Sequence, residues 1–166
     1  VLAVLLGADV EAVTGRGGGI TEESFRKKKA VIRTAIEVNR PDRDDVVGVL
    51  SKVGGFDICA MVGAFLGAAY YKLPAVIDGY ISAVAALAAV RLAPKAAGYL
   101  FGSHLSKEQG YLIAMDALGI RPFFDLGMRL GEGSGCPISF KIIETACATM
   151  NGMATFAEGA IDADYL

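Results

Sequence analysis

The sequence is poor in the two residue types that build most zinc and disulfide sites. Its 166 residues include one histidine and three cysteines. The cysteines, Cys59, Cys136 and Cys147, are odd in number and show no C-x-x-C spacing, which argues against a zinc site and a disulfide framework. We therefore expect no metal and a reducing, cytoplasmic location, with Cys59 and Cys147 in the apolar core.

An excess of positive charge is also missing. The chain carries 16 Lys and Arg against 18 Asp and Glu, a net charge of −2. No global basic field is available to hold nucleic acid, so that class of partner is not expected. One local basic run, Arg26 to Lys29, lies early in an amphipathic segment. It is interpreted as a solvated helix face, with a patch for an anion or a partner as the alternative.

No hydrophobic run is long enough to cross a bilayer, although 54% of the residues are hydrophobic. The most apolar stretch, 58–71, is bounded by Asp57 and Lys72 and is shorter than the roughly 20 residues that a span needs. Within it, Gly63 and Gly67 form a G-x-x-x-G pattern. We interpret this pattern as close packing of a buried helix on a sheet, and we predict no membrane span.

What the sequence does have is an alternation of short apolar segments with longer helical patterns. Repeated units of this kind form a mostly parallel sheet with helices on both faces. We therefore predict a single α/β domain over 1–166 with a three-layer, Rossmann-like fold. The opening apolar residues, which end at Gly7, predict the last turns of a helix in a chain that is a piece of a longer one. Strands are predicted at 10–14, 75–77, 99–102 and 123–126, and helices from about Thr21, over 81–91 and from Pro137.

Glycine-rich or polar segments follow the predicted strands, which puts them at the carboxyl edge of the sheet, where open α/β folds bind ligands. In "GRGGG", 15–19, the backbone can curl and cradle a phosphate at the start of the next helix, and a plain tight turn is the alternative. In "SKVGGFD", 51–57, Lys52 could supply a point charge to that phosphate or could be an exposed loop lysine.

Three further polar residues fall at the same predicted edge. Asp78 could accept hydrogen bonds from ribose hydroxyls or could cap the following helix. His104 has no second histidine or acid near it in sequence, so a structural role is favoured over a catalytic one. In "RLGEGSG", 129–135, the small neighbours of Glu132 leave room for a flat substrate. Glu132 is therefore the sharpest candidate for a chemical role, with an ordinary surface glutamate as the alternative.

The segments "GRGGGI", "VLSKVGGFDICAMVGAFLGAA", "PAVIDGYISAVAAL", "YLFGSHLSKEQG" and "DLGMRLGEGSG" together resemble the nicotinate-nucleotide:dimethylbenzimidazole phosphoribosyltransferase family in order and spacing. The resemblance extends over almost the entire chain. It implies transfer of phosphoribose from nicotinate mononucleotide to 5,6-dimethylbenzimidazole, which yields α-ribazole 5′-phosphate and nicotinate for assembly of the cobalamin nucleotide loop. It implies no cofactor, because the donor's ring nitrogen is cationic and nicotinate leaves readily.

The same resemblance implies roles for individual residues and for the assembly. Glu132 would be the general base, and two subunits would pair as a homodimer. Members of the family are longer, which implies that the amino-terminal half is absent here. Alternatives are a binding fragment without catalysis and a relative that uses another azole acceptor. The implied phosphate ligands are Gly15, Gly17, Gly18, Gly19, Lys52 and Ser103; the implied ribose and base pocket comprises Asp78, Gly79, Met128, Leu130, Gly131, Gly133, Ser134 and Gly135.

Overall fold

The computed structural model describes residues 1–161 and is built on a three-stranded parallel sheet. The strands are β1 (Ala75–Ile77), β2 (Leu100–His104) and β3 (Pro122–Phe124), and β2 lies in the middle. The register pairs Val76 with Phe101 and His104 with Phe124. Three of the predicted strands are therefore present, and their carboxyl ends lie at one edge.

Helices surround this sheet, which confirms the predicted α/β class. Helix α5 packs on α6, α6 packs on α7, and α8 contacts both β1 and β2. A 3₁₀ helix, Pro94–Tyr99, leads into β2. The α-helices are α1 (Leu2–Leu6), α2 (Val10–Val13), α3 (Glu22–Asn39), α4 (Val46–Val53), α5 (Phe56–Tyr70), α6 (Tyr80–Leu92), α7 (Tyr111–Leu118) and α8 (Gly135–Gly152).

The core is centred on the alanine-rich helix α6. Every residue from Ala83 to Ala89 is buried, because methyl-sized side chains let α5 and α7 approach this helix closely. Ile77 at the end of β1 and Tyr111 at the start of α7 are also fully buried. The end of β1 is therefore fixed by packing on its buried side.

The strand predicted at 10–14 is wrong, since Val10–Val13 forms the short helix α2. Asp9 begins the helix, and its Oδ1 accepts a hydrogen bond from the Glu11 amide at 3.1 Å. Val10 and Val13, three residues apart, are both buried, which places them on one helical face. A short apolar run fits either period, and the cap decides in favour of the helix.

Helix α5 does not use its G-x-x-x-G pattern for close packing, contrary to expectation. A Cβ atom added at Gly63 or Gly67 would meet nothing within 4 Å, and Gly63 is exposed. The apolar side chain of Phe56 at the start of α5 is 96% exposed.

Within residues 1–161, no helix combines the length and hydrophobicity that crossing a membrane requires.

The expectation that Cys147 lies in the core is also wrong, because Cys147 is exposed on α8 and Cys59 is only partly buried. The only buried residues of α8 are Gly135 and Ser139 near its amino-terminal end. Beyond that end, apolar residues of α8 such as Phe140 and Met150 are exposed. The sequence period identified an apolar face here, but the described residues do not cover it.

Tyr111 provides a test of how β2 is anchored. Its hydroxyl is buried and donates a hydrogen bond of 2.9 Å to the backbone oxygen of His104. Replacing Tyr111 with Phe should lower the free energy of unfolding by about 1 to 3 kcal/mol, because the His104 carbonyl would stay buried without its donor. Chemical denaturation of the full-length protein measures this loss. A matched Tyr70→Phe variant, whose ring is 80% exposed, should change it little.

Candidate functional site at the carboxyl edge of the sheet

A cavity of about 880 Å³ lies beside the end of β1. Its wall includes the glycine-rich loop between α2 and α3, the turn from β1 into α6 and the loop before α8, together with residues of α3, of α5 and of the loop before α7. This volume falls in the range of small-molecule sites. The cavity is therefore the candidate functional site.

The glycine-rich loop forms a tight curl at this wall, and a lysine of α3 lies beside it. Gly17 and Gly19 have φ of 67° and 81°, a left-handed conformation that residues with a Cβ rarely adopt. The Lys28 Nζ, which comes from α3, donates to the backbone oxygen of Gly15 at 2.8 Å. An ammonium group has three donors, so two remain for a ligand beside Gly15 and Gly17. A phosphate is the ligand class that such a cationic curl suits.

Glu132 lies on the wall of the same cavity, in a loop of unusual backbone geometry. Gly131, Glu132 and Gly133 have φ of 75°, 56° and 74°, so three consecutive residues are left-handed. The glycines adopt this conformation freely, whereas a left-handed glutamate costs about 1 to 2 kcal/mol. The Glu132 side chain is exposed at the cavity wall. Such strain is typical of a residue whose direction matters for function.

Asp78 holds this loop in place. Its Oδ2 accepts a hydrogen bond from the Gly133 amide at 3.1 Å, and its Oδ1 accepts one from the Gly135 amide at 2.9 Å. Both carboxylate oxygens are thus bound to the segment that follows Glu132. Asp78 also lines the cavity, and its side chain is only 13% exposed.

A buried layer lies beneath Asp78. Ser103 donates through its hydroxyl to the Asp78 backbone oxygen at 3.2 Å and lies 3.1 Å from the His104 Nδ1. His104 is 1% exposed, and its Nδ1 is 3.7 Å from the Asp78 Oδ1. The structure therefore favours the structural role expected for His104.

The wall also has apolar members. Phe65 and Met61 come from α5, and Val76 comes from β1. Tyr80 donates from its hydroxyl to the Val13 backbone oxygen at 2.7 Å. Burial, with a further contribution from Glu108, raises the pKa of Tyr80 to about 12, so this hydroxyl stays neutral and keeps its donor at physiological pH. An aromatic ligand would find apolar contacts at these side chains.

The structure brings about half of the sequence-predicted site residues to this cavity. It does not bring Lys52 there, because Lys52 is exposed near the end of α4 and its Nζ donates to the Arg40 backbone oxygen at 3.3 Å. Ser103 is also absent from the wall, since it is fully buried beneath Asp78. The residues on the wall are Gly15, Gly17, Asp78, Gly79, Leu130, Gly131, Glu132 and Gly133; those outside it are Gly18, Gly19, Lys52, Ser103, Met128, Ser134 and Gly135.

Lys28 is the main cavity residue that the sequence did not single out. In the run Arg26 to Lys29, Arg26 and Lys27 are exposed, as a solvated face predicts, but Lys28 and Lys29 are only partly exposed. Lys29 pairs with Glu11 and lies 4.0 Å from the centre of the Phe25 ring. Lys28 lines the cavity with Gly15 and Gly17, so the alternative of an anion patch stays a prediction for this residue, and the available signal was its place in the basic run that follows the glycine loop.

Comparison with known proteins identifies the family. A family model described as "Phosphoribosyltransferase" matches residues 1–161. A nicotinate-nucleotide–dimethylbenzimidazole phosphoribosyltransferase from Clostridium perfringens is 53% identical over 166 residues, which are 100% of this chain and 46% of that protein. The chain belongs to this family. A protein of the same name from Clostridium tetani is 47% identical over 100% of this chain and 46% of its own length.

Solved structures of this phosphoribosyltransferase family share the fold. The crystal structure of CobT from Thermus thermophilus has a TM-score of 0.89 and 36% identity, and covers 98% of this chain and 48% of that one. A nicotinate-nucleotide–dimethylbenzimidazole phosphoribosyltransferase from the same organism has a TM-score of 0.86 and 35% identity over 97% of this chain and 47% of that one. The chain spans about half the length of the curated relatives it matches.

Proposed function

We propose that this chain forms the donor-binding and base-catalytic part of a nicotinate-nucleotide:dimethylbenzimidazole phosphoribosyltransferase. The observation that supports this most strongly is that Glu132 lines the same cavity as Gly15, Gly17 and Lys28. A phosphate-binding curl and a carboxylate facing one space are what transfer of a phosphoribosyl group requires. Relatives that carry this name support the substrate assignment.

In the proposed reaction the 5′-phosphate of nicotinate mononucleotide binds at the glycine curl and Lys28. The Glu132 carboxylate accepts the N–H proton of 5,6-dimethylbenzimidazole while the other ring nitrogen attacks C1′. The bond from C1′ to the nicotinate nitrogen breaks, and its electron pair neutralises that cationic nitrogen. The products are α-ribazole 5′-phosphate and nicotinate, with one proton transferred to the enzyme. A positioned base contributes typically about 10²- to 10⁴-fold to such a step.

The acceptor binds against the apolar part of the wall in this proposal. Phe65, Met61 and Val76 present the kind of surface that a flat dimethylated bicycle needs. Leu130 and Gly131 flank Glu132 on the same wall. Discrimination between azoles that differ by a methyl group amounts to only about 1 to 3 kcal/mol in an apolar pocket. Related azoles should therefore also be accepted.

The proposal extends to location and assembly. The cysteines at 59, 136 and 147 are free thiols, which is compatible with a reducing cytosol. The family resemblance implies a homodimer. Exposed apolar side chains on α5 and α8, such as Phe56 and Phe140, are compatible with further protein surface over these helices in the complete enzyme.

The full-length protein incubated with nicotinate mononucleotide and 5,6-dimethylbenzimidazole tests the proposed function. We expect stoichiometric release of nicotinate and formation of α-ribazole 5′-phosphate, measured by chromatography and mass spectrometry. Omission of the azole is the control, and it should abolish nicotinate release. Calorimetric binding of nicotinate mononucleotide with no nicotinate released for any azole would contradict the transferase and favour a binding module.

A further inference from the structure

The Asp78 carboxylate accepts two hydrogen bonds from the loop that carries Glu132. Each carboxylate oxygen of Asp78 accepts one hydrogen bond from a backbone amide, that of Gly133 at 3.1 Å and that of Gly135 at 2.9 Å. Gly133 is the last residue of the left-handed segment that contains Glu132, and Gly135 lies two residues beyond it. The loop thus has two fixed points directly beyond the residue proposed as the base.

The support continues below Asp78 into the core. Ser103 donates to the Asp78 backbone oxygen, and the Tyr111 hydroxyl fixes the His104 carbonyl. Gly135 lies so close to this layer that an added Cβ would clash with His104 Nδ1 and Ser103 Oγ. The loop is therefore seated against buried side chains of β2 and cannot slide toward them.

Without these hydrogen bonds, the loop around Glu132 would populate other backbone conformations. Gly131 and Gly133 populate many backbone conformations, and a left-handed Glu132 is unfavourable by itself. Hydrogen bonds from backbone amides to a carboxylate are charge-assisted and stronger than neutral ones. The two hydrogen bonds to the Asp78 carboxylate can offset the strain at Glu132.

We propose that Asp78 is a positioning residue, which fixes the direction of the Glu132 carboxylate by holding the Gly133 and Gly135 amides, rather than a ligand of the ribose. This inference rests on the proposed function for its kinetic consequence. Its structural part stands on the two hydrogen bonds alone. Each part has a separate measurement.

The structural part is measured by hydrogen exchange in the full-length protein. Asn keeps only one of the two carboxylate oxygens, so in Asp78→Asn one of the two backbone N–H groups loses its hydrogen-bond acceptor. Amide hydrogen exchange in the peptide covering 128–136 should therefore become faster. Asp116→Asn on the exposed face of α7 is the matched control and should leave that peptide unchanged. Unchanged exchange in Asp78→Asn would overturn the proposal whether or not the protein is a transferase.

The kinetic part is measured by a double-mutant cycle with Glu132→Gln. Misplacing a catalytic group by about 1 Å can cost roughly 100-fold, so Asp78→Asn alone should lower kcat by about that factor with KM for nicotinate mononucleotide nearly unchanged. In the Glu132→Gln background the same change should have little further effect, because residues that act as a unit are not additive. Equal losses in both backgrounds, or a raised KM, would mean direct contact with the donor and would overturn the proposal.

Folding of the variant is checked by its thermal unfolding midpoint. If Asp78→Asn does not fold, Ser103→Ala enters the same cycle, because it removes the hydroxyl that supports the Asp78 backbone. The decrease in kcat caused by Ser103→Ala should be smaller, but it should again disappear in the Glu132→Gln background. A decrease that persists in that background would overturn the proposal. A wild-type enzyme that releases no nicotinate would instead contradict the proposed function, and the exchange measurement would still decide the role of Asp78.

Discussion

Replacing Glu132 with Gln should lower turnover of the full-length protein by about 10²- to 10⁴-fold while leaving the affinity for nicotinate mononucleotide nearly intact. Glutamine has the size and shape of glutamate, so the left-handed loop and its bonds to Asp78 should persist. What it lacks is a carboxylate that can accept the azole proton. Steady-state kinetics give the loss in kcat, and calorimetry gives the affinity for the donor.

The control for this variant is Glu37→Gln on the exposed surface of α3, which should leave kcat unchanged. Glu132 also precedes the amino-terminal end of α8, where the helix dipole favours a negative charge. Loss of that charge should affect stability by no more than about 1 kcal/mol. Unchanged turnover in Glu132→Gln would contradict the assignment of the base.

The second large effect is expected at Lys28. Replacing it with Met should raise KM for nicotinate mononucleotide by about 10- to 100-fold, since a hydrogen bond to a charged group contributes roughly 1.5 to 3 kcal/mol. Methionine keeps the length and apolar stem of lysine and removes the ammonium group that the Gly15 carbonyl orients. The effect on kcat at saturating donor should be smaller, because the phosphate is bound equally in the ground state and the transition state.

Lys52→Met is the matched control for Lys28→Met. Both changes remove one lysine, but the Lys52 Nζ donates to the Arg40 backbone oxygen at 3.3 Å and lies outside the cavity. Steady-state kinetics with nicotinate mononucleotide as the varied substrate should therefore show a raised KM only for Lys28→Met. A raised KM in Lys52→Met with a normal value in Lys28→Met would contradict the position of the phosphate.

The strands and the loops that follow them could be predicted from sequence because they depend on local patterns. β1 is an apolar segment that is followed by a polar residue, Asp78, and by the turn into α6. The strand prediction at 10–14 failed because so short an apolar segment does not distinguish a strand from a helix, and the Asp9 cap favours the helix. The apolar pattern alone does not say whether this segment is a strand or a helix.

The site was predictable only as far as neighbours in the chain are neighbours in space. Glu132 and its flanking glycines form one segment, so their common position at the cavity follows from sequence. Lys28 reaches Gly15 because α3 runs back along the glycine loop, and Ser103 is buried because β2 is the central strand. The orientation of a helix and the place of a strand in a sheet are set by tertiary packing, which a motif does not encode.

Burial of helix faces was the least predictable property. Gly63 on α5 and Cys147 on α8 belong to apolar patterns, yet both are exposed in the described part of the chain. An apolar period predicts that a face will be covered, but it does not say by which segment.

A crystal structure of the full-length protein with nicotinate mononucleotide and an unreactive azole would show both ligands in place. We expect the 5′-phosphate against Gly15, Gly17 and Lys28, with a Glu132 carboxylate oxygen about 2.6 to 3.2 Å from the azole nitrogen that carries the proton. A phosphate bound away from this curl, or a Glu132 side chain directed into solvent with both ligands present, would contradict this expectation.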